Sequence, residues 1–397
     1  MKELQSIIDA YREIEQKNTQ AALATVVKVT GSAYRRAGAR MLITADGHTV
    51  GSVSGGCLEC DVINQARRVL QWNEPRVVAY DSMSDDDIAW EFNLGCNGIV
   101  EVLIEPLSHT AEQGHMAFLT ECLQQRQVGV LATVFGVEGP SKAKVGNRLM
   151  LSALRSARHD IGDGDLAEAI LDDSQHTLDN GMSLVKMYEM ATGRAEVFIE
   201  VIQPSVPIVI FGAGHDAVPL VRFAKELGWH VTMVDPRPGY ATRTRFPLAD
   251  ILIVCRPEEV CERIKIDRYT VAAVMTHNFL HDSELLSTLW PLPLRYIGIL
   301  GSKQRTRRLL DHVQVTGRSH SDPSLGRVYG PMGLDIGADT PEEIALAVVA
   351  EIKAVLTGRL GGMLRAREGP LHEPSEAVDV VVVSGKINGA VHCGHEH

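Results

Sequence analysis

Ten consecutive residues, Gly51-Ser52-Val53-Ser54-Gly55-Gly56-Cys57-Leu58-Glu59-Cys60, hold three glycines, two serines and two of the chain's seven cysteines. Beyond them Leu58, Val62, Ile63, Ala66, Val69 and Leu70 recur at helical spacing, which predicts a helix beginning near Cys57. Glycines let a backbone approach a ligand closely, and the free N–H groups of a helix start attract anions. The same position favours a thiolate, with Glu59 opposing it. A soft thiolate beside an anion-binding loop suits a ligand that carries both a phosphate and a soft metal. This singles out Cys57 as metal ligand or sulfur-handling thiol, Cys60 as its companion, and Gly55 and Gly56 as sources of phosphate-holding amides.

Other readings of the C-x-x-C pair stay open. The two small residues could pack at a helix start, or exchange thiol for disulfide, although no βαβ pattern surrounds them. A zinc site would need Cys57, Cys60, Cys96 and His48 to meet from distant loops. Cys96, in a loop between Leu94 and Gly98, is a further site candidate, and Arg35, Arg36 and Arg40 flank a glycine loop as candidate phosphate ligands or solvated cations. Cys122, Cys255 and Cys261 lie in apolar-periodic stretches and read as core residues.

A second constellation follows Pro204. Ile208-Val209-Ile210-Phe211 reads as a buried strand, then Gly212-Ala213-Gly214-His215-Asp216-Ala217 opens a helix, and His230 to Val234 forms a second strand closed by Asp235. This is the dinucleotide-binding fingerprint in its G-x-G-x-x-A form, with Gly212 and Gly214 at the turn. Asp235 would bond a ribose hydroxyl and Arg237 could accept a 2′-phosphate; the alternative is a fold that keeps the turn and binds no nucleotide. His277 follows a third strand, at the face where such sheets bind ligands, and Gly301-Ser302 before Lys303, Arg305, Arg307 and Arg308 is another anion-site candidate or a solvated basic face.

The elements that must position these residues fall into a duplicated first half and an alternating second half. Leu23-Ala24-Thr25-Val26 reappears 108 residues on as Leu131-Ala132-Thr133-Val134, and Arg40-Met41-Leu42 is echoed by Arg148-Leu149-Met150 at the same offset. Glu101-Val102-Leu103-Ile104-Glu105 returns 95 residues on as Glu196-Val197-Phe198-Ile199-Glu200. Two copies of one α+β unit are expected, near 20–107 and 128–204, joined by a helix within Glu112 to Gln125. At these offsets Cys57 faces Asp165, Cys60 faces Glu168 and Cys96 faces Ala191, so the first copy carries all three thiols and the second none. That difference marks the first copy as the active one.

Met1 to Glu15 is an amphipathic surface helix with Leu4, Ile7, Ile8, Tyr11 and Ile14 on one face, not a signal peptide. Strand-like Met41 to Thr44 precedes a hairpin turn at Ala45 to His48, and Thr340-Pro341-Glu342-Glu343 starts a last helix with a capping box. The expected architecture is α/β: an N-terminal region over 1–204, a Rossmann-like parallel-sheet domain over 205–360, and an extension over 361–397 with one strand near Asp379 to Val383. The tail's His392, Cys393, His395 and His397 could bind metal or form a solvated end. With 39 Lys+Arg against 50 Asp+Glu the net charge is −11, which argues against nucleic acid or an acidic membrane as partner. No apolar run reaches membrane-spanning length, and seven cysteines without a secretion signal read as reduced cytoplasmic thiols.

The sequence resembles the xanthine dehydrogenase accessory factor family (XdhC/CoxI). The resemblance rests on Gly31 to Met41, the Gly51–Cys60 loop, Leu94 to Gly98, the Gly212 fingerprint, Met275-Thr276-His277-Asn278, Ile297 to Ser302 and Gly330 to Gly337, in that order. Ala37 stands where the family often has proline, and Asn97 where it commonly has glycine. The resemblance implies a protein that binds molybdenum cofactor (molybdopterin), keeps it available for sulfuration by a cysteine desulfurase, and delivers it to a molybdenum hydroxylase. A homodimer is the candidate assembly. The rival reading is an NAD(P)-dependent oxidoreductase using the Rossmann half, with His277 as proton donor.

Overall fold

The computed structural model describes residues 2–81, 98–107, 114–191, 193–315, 326–368 and 379–383. Two compact units emerge among the described residues, one of Glu3–Pro204 with the strand at Asp379–Val382, the other of Ser205–Glu368. Among the described residues no helix is long and apolar enough to cross a membrane.

The first unit opens with α1 (Lys2–Lys17), whose Ile7, Ile8, Tyr11 and Ile14 are buried as its 3.6-residue periodicity requires. There follow β1 (Ala21–Gly31), β2 (Arg40–Thr44), β3 (Thr49–Gly51), α2 (Glu59–Trp72), β4 (Arg76–Asp81) and β5 (Gly98–Pro106). After α3 (His115–Gln124) the same series returns as β6 (Gly129–Glu138), β7 (Arg148–Ser152), β8 (Ala157–His159), α4 (Gly164–Asn180), β9 (Leu184–Met190) and β10 (Gly193–Ile202). The first sheet runs β3-β2-β1-β5-β4, and the second repeats that order as β8-β7-β6-β10-β9. A last strand, Asp379–Val382, pairs parallel with β9 at the second sheet's edge.

Strand alternation explains how the copies pack. In β1, Ala22, Ala24 and Val26 join the core under α2, and in β6 Val130, Ala132 and Val134 join the core under α4. The opposite faces meet each other: Val27 and Leu103 pack with Phe135, Val185 and Phe198 between the two sheets. Beside that seam α1 and α3 cover Leu23, Leu42, Leu131 and Met150. Each sheet is therefore apolar on both faces, so its central strands read as continuous hydrophobic runs.

The second unit contains β11 (Pro207–Phe211), α5 (Ala217–Glu226), β12 (His230–Val234), β13 (Ile251–Ile253), β14 (Val271–Val274), α6 (Phe279–Leu289), β15 (Tyr296–Ile299), α7 (Lys303–Val315), β16 (Val328–Tyr329) and α8 (Pro341–Leu356). Its sheet is parallel, ordered β13-β12-β11-β14-β15-β16, so the chain reverses direction of build at β11. Open sheets of this kind bind ligands at that reversal, beyond the carboxyl ends of the strands. Apolar clusters lie on both faces, one with α5 and α8, the other with α6 and α7. Thr340 caps α8 by accepting from Glu343 N at 3.3 Å while Glu343 Oε2 accepts from Thr340 N at 3.0 Å.

Candidate functional site

The Gly51–Cys60 loop joins β3 to α2 and is tied together by Glu59. Ser54 N and Ser52 Oγ donate to Glu59 Oε1 at 2.9 and 3.0 Å, and Ser54 Oγ donates to Glu59 Oε2. Burial works to raise the Glu59 pKa, but the hydrogen bonds from Ser54 and Ser52 outweigh it and hold the carboxyl below its ordinary value. Ser54 Oγ in turn accepts from Gly56 N and Leu58 N, both at 3.1 Å. The helix proper begins at Glu59, two residues later than the periodicity suggested: its N-cap, Leu58, makes no side-chain cap hydrogen bond, and its own N–H is held in the loop by Ser54 Oγ.

Cys57 is half-buried at the lip of a small pocket of about 30 Å³ lined by Tyr34, Val53, Leu58, Tyr80 and Val100. Cys60 is exposed in the first turn of α2, and both thiols are free. Gly55 lies under the Tyr34 ring, with 3.3 Å from a Cβ position to the ring, whereas a Cβ at Gly56 (φ +113°) would have no atom within 4 Å. Gly56 thus opens the backbone beside the Cys57 thiol. Tyr34, 69% exposed, presents a flat aromatic face next to it. The pocket itself holds about one water, so the room beside the thiol lies outside it, at the Gly56 opening and the Tyr34 ring.

The second copy has a different start at this place. There Asp163 caps α4 by accepting from Leu166 N at 3.2 Å, and the helix begins at Gly164, several residues earlier by the shared numbering offset. Leu58 and Leu166 occupy equivalent buried positions, which supports the facing of Cys57 by Asp165. One copy therefore spends this segment on a thiol-bearing loop and the other on helix.

Several sequence expectations are corrected here. Arg40, expected to bind cofactor, has its guanidinium already engaged: it is 5% exposed, pairs with Glu200 and donates to Gly38 O at 2.9 Å. Its counterpart Arg148 makes the mirror-image pair with Glu105, so each copy supplies an arginine to the other's glutamate. Gly56 does not offer a free amide for phosphate, since its N–H is given to Ser54. Arg35 pairs with Glu3 at 2.5 Å, leaving the loop poorer in phosphate ligands than its sequence suggests. Cys122 and Cys255 are buried, and burial, the leading cause, pushes the Cys122 thiol up to about 12, but Cys261 is exposed and is not a core residue. Cys96 and the His/Cys tail lie outside the described residues. Among the described residues no three His, Cys, Asp or Glu side chains gather into a metal-holding group.

In the second unit a cleft of about 500 Å³ opens at the reversal of the sheet, lined by Gly214, His215, Arg237, Tyr240, Arg245 and His277 among others. Gly212 takes φ +104°, and a Cβ there would come within 2.5 Å of Met275 O, so only glycine fits the crossing between the β11 and β14 ends. Gly214 faces the cleft, where an added Cβ would meet only His277 Nε2, at 4.0 Å. His277 adopts φ +60°, an uncommon conformation for a side-chain-bearing residue, and its Nε2 lies 3.3 Å from Asp216 at the start of α5.

Asp235 stands where the fingerprint places it but is 1% exposed, and both oxygens are engaged. Oδ2 accepts from Ala213 N and Arg237 Nη2, each at 2.8 Å, and Oδ1 from Arg237 N and Nε, each at 2.9 Å. Burial tends to raise its pKa, while the bonds from Arg237 and Ala213 prevail and lower it. The expected ribose contact is corrected accordingly: this carboxylate clamps the glycine turn to the β12 end. Sequence reasoning missed the Glu59–Ser54 tie, Tyr34 and Tyr80 at the first site, and Tyr240 and Arg245 at the second. The arginine-rich run from Arg237 to Arg245 was the visible signal for the latter; nothing in the spacing of Ser54 and Glu59 marks the tie.

Residues 208–352 match the family model described as the XdhC Rossmann domain, and residues 15–81 and 122–189 match that of the XdhC and CoxI family. A Bacillus subtilis (strain 168) protein, named as one probable subunit of xanthine dehydrogenase, is 35% identical over 347 residues, covering 87% of this chain and 96% of that protein. The molybdenum cofactor insertion chaperone PaoD of Escherichia coli (strain K12) is 22% identical over 338 residues, covering 84% of this chain and 83% of that protein. A crystal structure described as a xanthine dehydrogenase from Bacillus halodurans superposes with a TM-score of 0.72 at 32% identity, covering 91% of this chain and 98% of that one.

Proposed function

The chain belongs to the XdhC and CoxI family, and we propose that it carries molybdenum cofactor as cargo. In this reading it shields the cofactor, keeps it accessible for sulfuration by a cysteine desulfurase, and hands it to a molybdenum hydroxylase related to xanthine dehydrogenase. The names borne by the Bacillus subtilis and Escherichia coli relatives support that direction.

One observation carries the placement of the cargo: the first copy replaces an Asp-capped helix start with a loop that Glu59 and Ser54 hold open around Cys57. The residues there fit part of such a cofactor. A thiol suits a soft metal, the Gly56 opening admits a bulky group, and Tyr34 offers a face to a flat heterocycle. They fit its phosphate poorly, because Arg40 and Arg35 are already ion-paired. To the Rossmann cleft we assign a nucleotide, either NAD(P) or the nucleotide-like portion of the cofactor.

The test is pterin fluorescence after oxidation of protein purified from cells that make molybdenum cofactor, comparing wild type with Cys57→Ala and Gly214→Asp. Bound pterin that falls with Cys57→Ala supports cargo at the first copy. Loss confined to Gly214→Asp moves it to the Rossmann cleft. His277, which lines that cleft and is paired with Asp216, favours the NAD(P)-dependent oxidoreductase as second reading. Absence of pterin in every sample, together with NAD(P)H turnover, would establish it instead.

A further inference from the structure

We propose that the Rossmann cleft selects a 2′-phosphorylated adenine dinucleotide over its unphosphorylated counterpart, reading the phosphate with Arg237, Tyr240 and Arg245. The inference rests on the assignment of a nucleotide to this cleft and goes beyond it by naming which one.

The end of β12 is where a Rossmann domain meets the adenosine ribose, and an acid there accepts the ribose hydroxyls when NAD is bound. In this protein the acid is withdrawn. Asp235 is 1% exposed and accepts four hydrogen bonds, three of them from Arg237 and one from Ala213, so no lone carboxylate edge faces the cleft. The surface left at that position is cationic. Arg237 lies with its guanidinium 3.5 Å from the centre of the Tyr240 ring, and Arg245 approaches the same ring at 4.9 Å. All three residues line the cleft together with Gly239.

Two guanidinium groups gather on one ring, and only one of them has an acid among the described residues to answer it. Asp235 answers the charge of Arg237. Among the described residues Arg245 has no acidic partner; it donates to Tyr240 O at 3.3 Å and packs on Tyr240 and Phe246. A guanidinium fork is suited to phosphate oxygens, and Arg245 is the one whose fork is not already given to a carboxylate; Arg237 adds its charge beside it, and Tyr240, 40% exposed, carries both. The carboxylate of Asp216, on the α5 start, is paired with His277 Nε2 and is not among the residues that line the cleft. The cationic patch lies beside the β12 end, where the ribose is met.

The test titrates the full chain with NADPH and NADH by calorimetry. NADPH is expected to bind about tenfold to a hundredfold tighter, the change that one or two charge-assisted hydrogen bonds supply. Arg245→Ala, which leaves the Asp235 clamp intact, should bring the two within about threefold of each other, a loss of the same size. Arg237→Ala should weaken NADPH and strengthen NADH, because it releases Asp235 toward the ribose. Adenosine 2′,5′-bisphosphate should displace NADPH well below the concentration at which 5′-AMP or inorganic phosphate does. Equal or tighter binding of NADH by the wild type, or displacement by inorganic phosphate at the same concentration, overturns the proposal. Binding of neither dinucleotide by protein that still carries pterin also overturns it, while leaving the cargo reading intact. NADPH preference in protein that never carries pterin does the reverse.

Discussion

Removing Arg40 tests whether the reciprocal arginine–glutamate pairs hold the duplicated unit together. The Arg40 and Glu200 side chains are 6% and 12% exposed, and Glu200 Oε1 lies against Gly38, where a Cβ would come within 2.7 Å of it. With Arg40 replaced by Met the carboxylate stays between the sheets with its charge uncompensated. Breaking a buried pair from one side costs about 3–5 kcal/mol, and Glu200's residual exposure places this one near 3 kcal/mol. At about 2–4 °C per kcal/mol for a unit of this size, the thermal midpoint should fall by roughly 6–12 °C. Replacing both partners, as in Arg40→Met with Glu200→Leu, should recover most of the loss, because no charge is left to bury. The assay is urea and thermal unfolding of the two variants, with pterin content per folded chain measured alongside. The reasoning is refuted if Arg40→Met costs less than about 1 kcal/mol, the range of an exposed pair. It is equally refuted if the double variant folds normally yet loses its pterin, which would return Arg40 to the cofactor site.

Gly212→Ala should destabilise the Rossmann unit by roughly 2–5 kcal/mol through positive φ and collision with Met275 O, whereas Gly214→Ala should cost under about 1 kcal/mol; unfolding of the two variants by circular dichroism checks the contrast. Glu59 has a folded pKa below its unfolded value, so its stabilisation is full above the ordinary carboxylate range and fades as pH falls through the folded pKa. Glu59→Gln should therefore cost roughly 1–2 kcal/mol near neutrality and less in acid, which a stability series over pH would show. Thr340→Ala removes the α8 cap and should cost about 1 kcal/mol in urea unfolding.

Much of the fold was legible because both halves obey short-range rules. The offsets of 108 and 95 residues seen in the sequence carry β1 onto β6, β2 onto β7 and β5 onto β10. The fingerprint at Gly212 placed β11, α5 and β12 correctly, since glycine turns and strand runs are local signals. Side-chain partners were harder, because they depend on which strands meet in space. Arg40 next to a glycine loop reads as a phosphate ligand until β10 brings Glu200 against it. Yet the repeat carried a clue: arginine and glutamate recur in both copies, while the thiols do not, so the arginines belong to the shared framework. Asp235 was placed at the right strand end but not its saturation by Arg237, two residues on, which requires the loop's geometry. The Ser54–Glu59 tie escaped for the same reason.

The most direct measurement of the central claim is cysteine footprinting on protein prepared with and without bound molybdenum cofactor. Alkylation at each thiol is followed by mass spectrometry, with exposed Cys261 as the internal reference. Cargo held at the first copy predicts that Cys57 is strongly protected in the loaded protein while Cys261 reacts at an unchanged rate. Equal alkylation of Cys57 in loaded and cofactor-free protein would contradict the account and remove the cofactor from this loop.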